Sequence, residues 1–241
     1  VTWAFAGTLE PQTTADGVGA LRLDAAGPPP VVDVTHWAPD VIHDGERWRM
    51  YLTEIDGIPD RWPGYARTIV EYVSADLESW DRVGPLTLAS DRVIDAAVAR
   101  CPDGRWRLWY KDEAADSITM VASTEQLDSG EWRLDGVAID GRPHEGPFVF
   151  PLGGRWWMLT DEWRGMAVYV SDDAVHWTRQ VAGAGEDGVI LARLDGATGP
   201  ANHGAVTMHG GAAWLYCFVQ PRSQTRQRPI DPDEETADDR R

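Results

Sequence analysis

Four segments of the chain repeat one pattern, and this repeat limits the possible folds more than any other feature. APDVIHDGERWRMYL begins at Ala38, DAAVARCPDGRWRLWY at Asp95, EGPFVFPLGGRWWMLT at Glu145 and HGAVTMHGGAAWLYCF at His203. Each opens on a small or proline-containing triplet and continues into a β-branched or aromatic run. A glycine-containing turn follows, and then a tryptophan: Trp48, Trp106, Trp156 or Trp214. The distance from start to tryptophan is 10 residues in the first segment and 11 in the other three, and the starts are 57, 50 and 58 residues apart. Strand, tight turn and alternating strand make a β-hairpin, here written four times.

A second repeat follows the first. SADLESW (74–80) and SDDAVHW (171–177) share one Ser-x-Asp…Trp layout, and STEQLDSGEW (123–132) is a looser version. Each closes a unit that adds a third strand, such as IVEYVS or MAVYVS, a polar turn and a fourth strand. Four short strands recurring every 50 to 58 residues are the pattern of a β-propeller blade. No amphipathic helical period competes with it. The expected fold is all-β, a single five-bladed propeller domain over residues 1–220 with its first blade incomplete. Residues 31–90, 91–140, 141–195 and 196–220 begin four blades. VTWAFAGTL matches only the end of the unit, so residues 1–30 read as the remnant of a first blade. The charged, proline-containing residues 221–241 read as a loop or disordered tail.

Charge narrows the function. The chain carries 22 Lys and Arg against 39 Asp and Glu, a formal net charge of −17. A phosphate-neutralising surface needs clustered basic groups, so nucleic acid is excluded as an expected partner. No run of 18 apolar residues exists to span a membrane. Two cysteines, Cys101 and Cys217, are too few for a disulfide framework and wrongly spaced for zinc, and read as buried thiols. No signal peptide is visible, so the expected location is cytoplasmic, or secreted if the N-terminus is truncated. The oligomeric state is left open.

In a propeller the innermost strand of each blade lines a central funnel, so matched starts converge in space. Here those starts are Ala38, Asp95, Glu145 and His203, two of them carboxylates and one an imidazole. HWAPDV, VIDAAVARCPDGRWRLWYKDE and HEGPFVFPLGGRWWMLTDEW resemble the blade motifs of glycoside hydrolase family 43, the propeller arabinanases, arabinofuranosidases and xylosidases. The resemblance covers about residues 31–220 and is closest to actinobacterial members of that group. It implies inverting hydrolysis of an arabinose- or xylose-containing glycan by three carboxylates. Glu145 falls on the family's general acid, and Asp95 on the aspartate that raises the acid's pKa and helps hold the sugar. Nothing between Val1 and Asp33 matches the general base, and Asp40 is the nearest carboxylate. A propeller that binds carbohydrate without cleaving it is the alternative. His203 falls on a family histidine near the channel axis, often beside a metal ion or ordered water. No cofactor is expected to be required, with Ca2+ or another cation possible near His203.

The chemistry suits these residue types. An inverting enzyme needs a carboxylic acid for the leaving oxygen and a carboxylate to activate water, roughly 6.5–9.5 Å apart. Burial and a like charge raise an acid's pKa, so Glu145 is expected to titrate high beside Asp95. Second-strand ends offer Lys111, Glu113, Glu162, Trp163 and Arg164 as sugar contacts. Trp37 is placed to stack on a sugar ring, and His36 and His144 flank the starts. Trp48, Trp106, Trp156 and Trp214, like Trp80 and Trp177, read as blade core.

Overall fold

The computed structural model describes residues 8–13, 19–24, 34–59, 61–181, 188–193 and 197–219. They are almost entirely strand. The first sheet holds β1 (Thr8–Thr13), β2 (Gly19–Asp24), β3 (Val34–His43), β4 (Trp48–Asp56), β5 (Arg67–Ser74) and β6 (Ser79–Pro85), in the order β1-β2-β6-β5-β4-β3. The second is built from β7 (Val93–Arg100), β8 (Trp106–Asp112), β9 (Ile118–Thr124) and β10 (Arg133–Ile139), each pairing with the next. The third repeats that plan with β11 (Glu145–Leu152), β12 (Arg155–Asp161), β13 (Met166–Ser171) and the short β14 (Thr178–Arg179). The fourth, among the described residues, has β15 (Asn202–His209) and β16 (Ala212–Phe218). All ladders are antiparallel. β1 and β2, within the residues 1–30 expected as the remnant of a separate blade, pair with each other on the outer edge of the first sheet, where β2 pairs with β6. The segment 221–241 lies outside the described residues.

The four first strands succeed one another, β3 beside β7, β7 beside β11 and β11 beside β15. The sheets therefore stack face to face around the strands that begin them, as propeller blades do. Alternation explains the core. On β8, Leu108 and Tyr110 pack toward Tyr51 and Ile69 of the first sheet, while Trp109 packs toward Val149 and Met158 of the third. A strand covered on both faces buries successive residues, which is why every residue of WRLWYKD after the first is buried, its three charged ones included. Burying a side chain of this size is worth roughly 1.5–3 kcal/mol. Trp48, Trp106 and Trp156 pack against these cores, whereas Trp214 is exposed. Register gives the reason. Met208 pairs with Ala213, as His43 pairs with Trp48, Arg100 with Trp106 and Pro151 with Trp156. Ala213 thus holds the tryptophan position, and Trp214, one residue on, faces the other way.

Each first strand carries the same irregularity. Two residues on the first strand oppose one on the second between Trp37 and Asp40, Ile94 and Ala97, Glu145 and Phe148, and Asn202 and Ala205. The left-handed residue in each bulge is Ala38 (φ 43), Asp95 (φ 59), Gly146 (φ 56) or His203 (φ 44). Such bulges re-aim side chains at the ends of strands. The expected matched starts hold for Ala38, Asp95 and His203. In the third sheet the bulge residue is Gly146, and Glu145 sits one position earlier, level with Trp37, Ile94 and Asn202.

Candidate active site

The bulge amides tie each sheet to the one before it. Asp95 N–H donates to Thr53 Oγ1 at 3.2 Å, Gly146 N–H to Asp95 Oδ2 at 3.0 Å, and His203 N–H to Asp161 Oδ2 at 3.1 Å. Thr53 in the second strand of the first sheet and Asp161 at the end of that of the third pair with Trp37 and Glu145. The same bonds bring three functional side chains together. Asp95, Glu145 and His203 each offer one ligand-type atom, and these atoms lie within 4.8 Å of one another.

Around them runs a file of alternating charge drawn from all four sheets. Arg67 Nη1 is 2.7 Å from Glu113 Oε2, and Lys111 Nζ is 3.3 Å from Glu113 Oε1 and 3.2 Å from Glu145 Oε2. His203 Nε2 then lies 3.5 Å from both Glu145 Oε1 and Asp95 Oδ2. Three cations alternate with three anions. Burying isolated charges would be prohibitive, whereas a balanced file of close partners offsets much of that desolvation. Lys111, the chain's sole lysine, is fully buried between Trp62 and Trp163, its Nζ 5.7 and 5.1 Å from the two ring centroids. Trp62 in turn stacks on Trp37 with centroids 4.9 Å apart and lies under the Arg67 guanidinium.

The charges set the protonation states. Burial would raise Glu145, but Lys111 and His203 outweigh it and hold the carboxyl well below its ordinary range. The expected upward shift from Asp95 is therefore corrected: two cations, not one anion, dominate its surroundings. Burial would lower His203, but the carboxylates of Asp95 and Glu145 outweigh it and push the imidazolium up to about 11. Asp161 goes the other way, up to about 6, through burial and then the charge of Glu145.

The remaining expected contacts divide. Trp37 and Trp163 border the file, and Lys111 and Glu113 belong to it, buried as ion partners rather than offered on a loop. His144 is 1 % exposed, with its ring nitrogens bonded to Thr119 Oγ1 and the Arg142 carbonyl, so both nitrogens are engaged within the fold. Glu162 is likewise buried, and it accepts from Arg164 and from Arg179. That commits Arg164 to a cluster beside the site. His36 Nε2 lies 3.9 Å from Glu54, apart from the file. Asp40 is not brought to the cluster: its Oδ2 accepts from the Val98 amide at 2.6 Å, and burial pushes the carboxyl up to about 7. Cys101 and Cys217 are free, the first buried and the second partly so.

Sequence reasoning missed Thr53, Trp62, Arg67 and Asp161. Neighbouring residues on a strand face opposite ways, so only one of Asp161 and Glu162 could meet the next sheet, and the sequence does not say which. Trp62 lies on the connection before β5 and Arg67 at the start of that strand, both outside the repeated motifs, and they carried no signal.

The donor set can be tested against a cation. Calcium takes six to eight oxygen ligands, and an imidazolium has no lone pair to offer. Two carboxylates already balanced by Lys111 and protonated His203 do not fit a hard divalent ion as they stand.

No family model and no curated protein matches the sequence. Solved structures share the fold. A putative glycosidase of Bacteroides thetaiotaomicron is similar at TM-score 0.64 and 15% identity over 78% of this chain and 63% of that one. A thermostable family-43 glycoside hydrolase matches at 0.57 and 18% over 82% and 78%, and an arabinanase of Bacillus subtilis at 0.54 and 16% over 77% and 66%. The chain spans a little under two thirds of the length of the first of these. The architecture is that of the family-43-like glycosidase propellers.

Proposed function

We propose that the protein is a glycoside hydrolase whose reaction takes place at Asp95, Glu145 and His203. The observation that carries this reading is the convergence of the three side chains from three sheets, beside tryptophans and at the starts of propeller strands. Glu145 is the general acid toward the glycosidic oxygen. Asp95, fixed by the Gly146 amide, orients the site, and His203 spans the two carboxylates. The reaction is inverting, on a five-bladed frame. Asp95, within 4.8 Å of Glu145, is too close to be the base, so the carboxylate that takes the water's proton stands outside this trio. The substrate is a neutral arabinose- or xylose-containing glycan. The arabinanase and xylosidase among the similar structures support that class, as does an acidic chain that repels anionic polymers. A sugar hydroxyl entering between Glu145 and its cations must loosen those contacts before the acid can carry a proton.

A second reading, binding without cleavage, is favoured by one observation. Glu145 is held ionised, and the Asp40 carboxylate is committed to Val98. The two readings separate in one experiment. Arabinosides and xylosides, both aryl and oligomeric, are tested for hydrolysis with wild type and Glu145→Gln, and for binding by calorimetry. Hydrolysis by wild type that Glu145→Gln loses on oligosaccharides, but partly keeps on activated aryl glycosides, supports the first. Binding with no turnover supports the second, and neither binding nor turnover sinks both.

A further inference from the structure

The second strand of the third sheet ends on a carboxylate that is given over to backbone amides. Asp161 pairs with Glu145 across the ladder of β11 and β12 and is 1 % exposed. Its Oδ1 accepts from the Trp163 amide at 2.7 Å and its Oδ2 from the His203 amide at 3.1 Å. Both donors are left-handed residues, Trp163 at φ 56 and His203 at φ 44. A bulky side chain in that conformation is strained and persists only where its surroundings hold it. One side chain therefore fixes two strained residues, one on the loop after β12 and one in the bulge of β15.

Those two residues carry rings that border the Glu145 site. The His203 imidazole lies 3.5 Å from Glu145 Oε1 and from Asp95 Oδ2. The Trp163 ring lies 5.1 Å from Lys111 Nζ, which is itself 3.2 Å from Glu145 Oε2. Each oxygen of Glu145 thus faces a cation that is, or packs against, a residue tied to Asp161. The register-matched residue of the first sheet is Thr53, opposite Trp37, and its hydroxyl takes the bulge amide of Asp95. A hydroxyl therefore suffices for one amide. A buried carboxylate is costly here, and burial and the charge of Glu145 push it up to about 6. What the carboxylate adds is a second acceptor oxygen, and with it the Trp163 amide.

We propose that Asp161 is a positioning residue of the site: its two oxygens seat the His203 imidazole and the Trp163 indole, and so set where both cations stand against Glu145. The side chain is buried with both oxygens engaged, so it acts through its neighbours and not on the sugar. Its bearing on turnover rests on the reading of Asp95, Glu145 and His203 as the site of reaction. The placement of the two rings is tested without that reading.

The test uses the full chain and two NMR signals. Lys111 is the chain's sole lysine, so selective 13C labelling gives one side-chain signal, displaced by the ring currents of Trp62 and Trp163. A Cβ built on Gly146 would lie 2.8 Å from His203 Cδ2, so the proton there should show a strong NOE to the Gly146 α-protons. Asp161→Ala should move the lysine signal toward that of a free lysine and weaken the NOE. Ser171→Ala is the control. Ser171 Oγ likewise accepts from two amides, those of Asp173 and the left-handed Ala174, but at the other end of β13. That variant should leave both signals in place. Where wild type hydrolyses a glycoside, Asp161→Ala should lower kcat/KM by about tenfold or more. Asp161→Asn is near-isosteric but has one acceptor oxygen for two amides, so it should move at least one signal, and it serves if Asp161→Ala does not fold. Both signals unmoved in Asp161→Asn, or moved as far by Ser171→Ala, overturn the proposal. So does wild-type turnover in Asp161→Ala. A wild type that hydrolyses nothing sinks the glycosidase reading alone, and the two signals, read without substrate, then decide the placement.

Discussion

Replacing Gly146 by alanine tests how the bulge in β11 seats the His203 imidazole. Gly146 has φ +56, and a Cβ built there would lie 2.8 Å from His203 Cδ2 and 3.0 Å from Nε2. The left-handed backbone alone costs alanine about 1–2 kcal/mol. The contact adds a second cost, because the ring is held 3.5 Å from both Asp95 and Glu145 and must leave one of them to make room. Losing part of a charge-assisted contact costs about 1–2 kcal/mol more. The sum is about 2–4 kcal/mol, or about 4–16 °C in melting temperature for a chain of this size. Gly210 is the control, with φ +59 and nothing within 4 Å of its Cβ. Gly210→Ala should carry only the backbone part, about 2–8 °C. Thermal unfolding of both variants at pH 7, with an NMR titration of His203, measures the difference. Gly146→Ala should also lower the His203 pKa, since the displaced ring loses carboxylate charge. Equal melting temperatures in the two variants, with His203 titrating as in wild type, would refute the placement of the ring.

Lys111→Met removes the cation between Glu113 and Glu145, and breaking a buried pair costs about 3–5 kcal/mol. The Glu145 carboxyl should rise by about 1–3 pKa units, read by 13C NMR of the side chain, and no rise would show that Lys111 does not set its charge. The depressed Glu145 contributes stability above its unfolded pKa that is lost as pH falls through its folded one. The acid unfolding midpoint of Lys111→Met should accordingly move to higher pH. Asp40→Asn acts in the opposite sense. Asp40 is raised to about 7, so the folded state keeps a proton that the unfolded chain releases, and stability falls as pH rises from about 4 through 7. The variant keeps an acceptor for the Val98 amide and should be less pH-sensitive, gaining on wild type at pH 8 relative to pH 5 in urea unfolding. An unchanged pH slope would sink this, and loss of hydrolysis with stability retained would mark Asp40 as the base.

The repeat made the sheets legible, because a hairpin with apolar alternation and a turn glycine is written locally. Asp95 and His203 were legible for the same reason, since both sit at the bulge that begins a first strand. Glu145 was found one position out of register. The glycine after it was the available signal, because Gly146 occupies the left-handed site that Asp95 and His203 occupy at some strain. Trp214 was misplaced because its distance from His203 was matched to that of Trp156 from Glu145, whereas Glu145 lies one residue before its bulge; both hairpins close on two glycines, and a shift of one residue reverses a side chain. The direction of the Glu145 shift was not legible. It depends on Lys111 and His203, which lie 34 and 58 residues away and meet the carboxyl only across sheet boundaries.

The site and the fourth sheet are physically linked through His203. The residue is the second of β15, on the one sheet with two strands among the described residues, and its ring lies 5.9 Å from that of the exposed Phe218. The polar ties from His203 to the rest of the fold are those of the site: its amide to Asp161, its imidazole to Asp95 and Glu145. Sheets with few buried contacts open at lower free energy than the core. Opening of β15 and β16 would therefore carry one of the three cations out of the file and leave Asp95 and Glu145 facing each other without it. Two carboxylates that close cannot both remain cheaply ionised, so one would take up a proton. The same cation that suppresses the acid form of Glu145 is thus held by the sheet that has the fewest strands among the described residues.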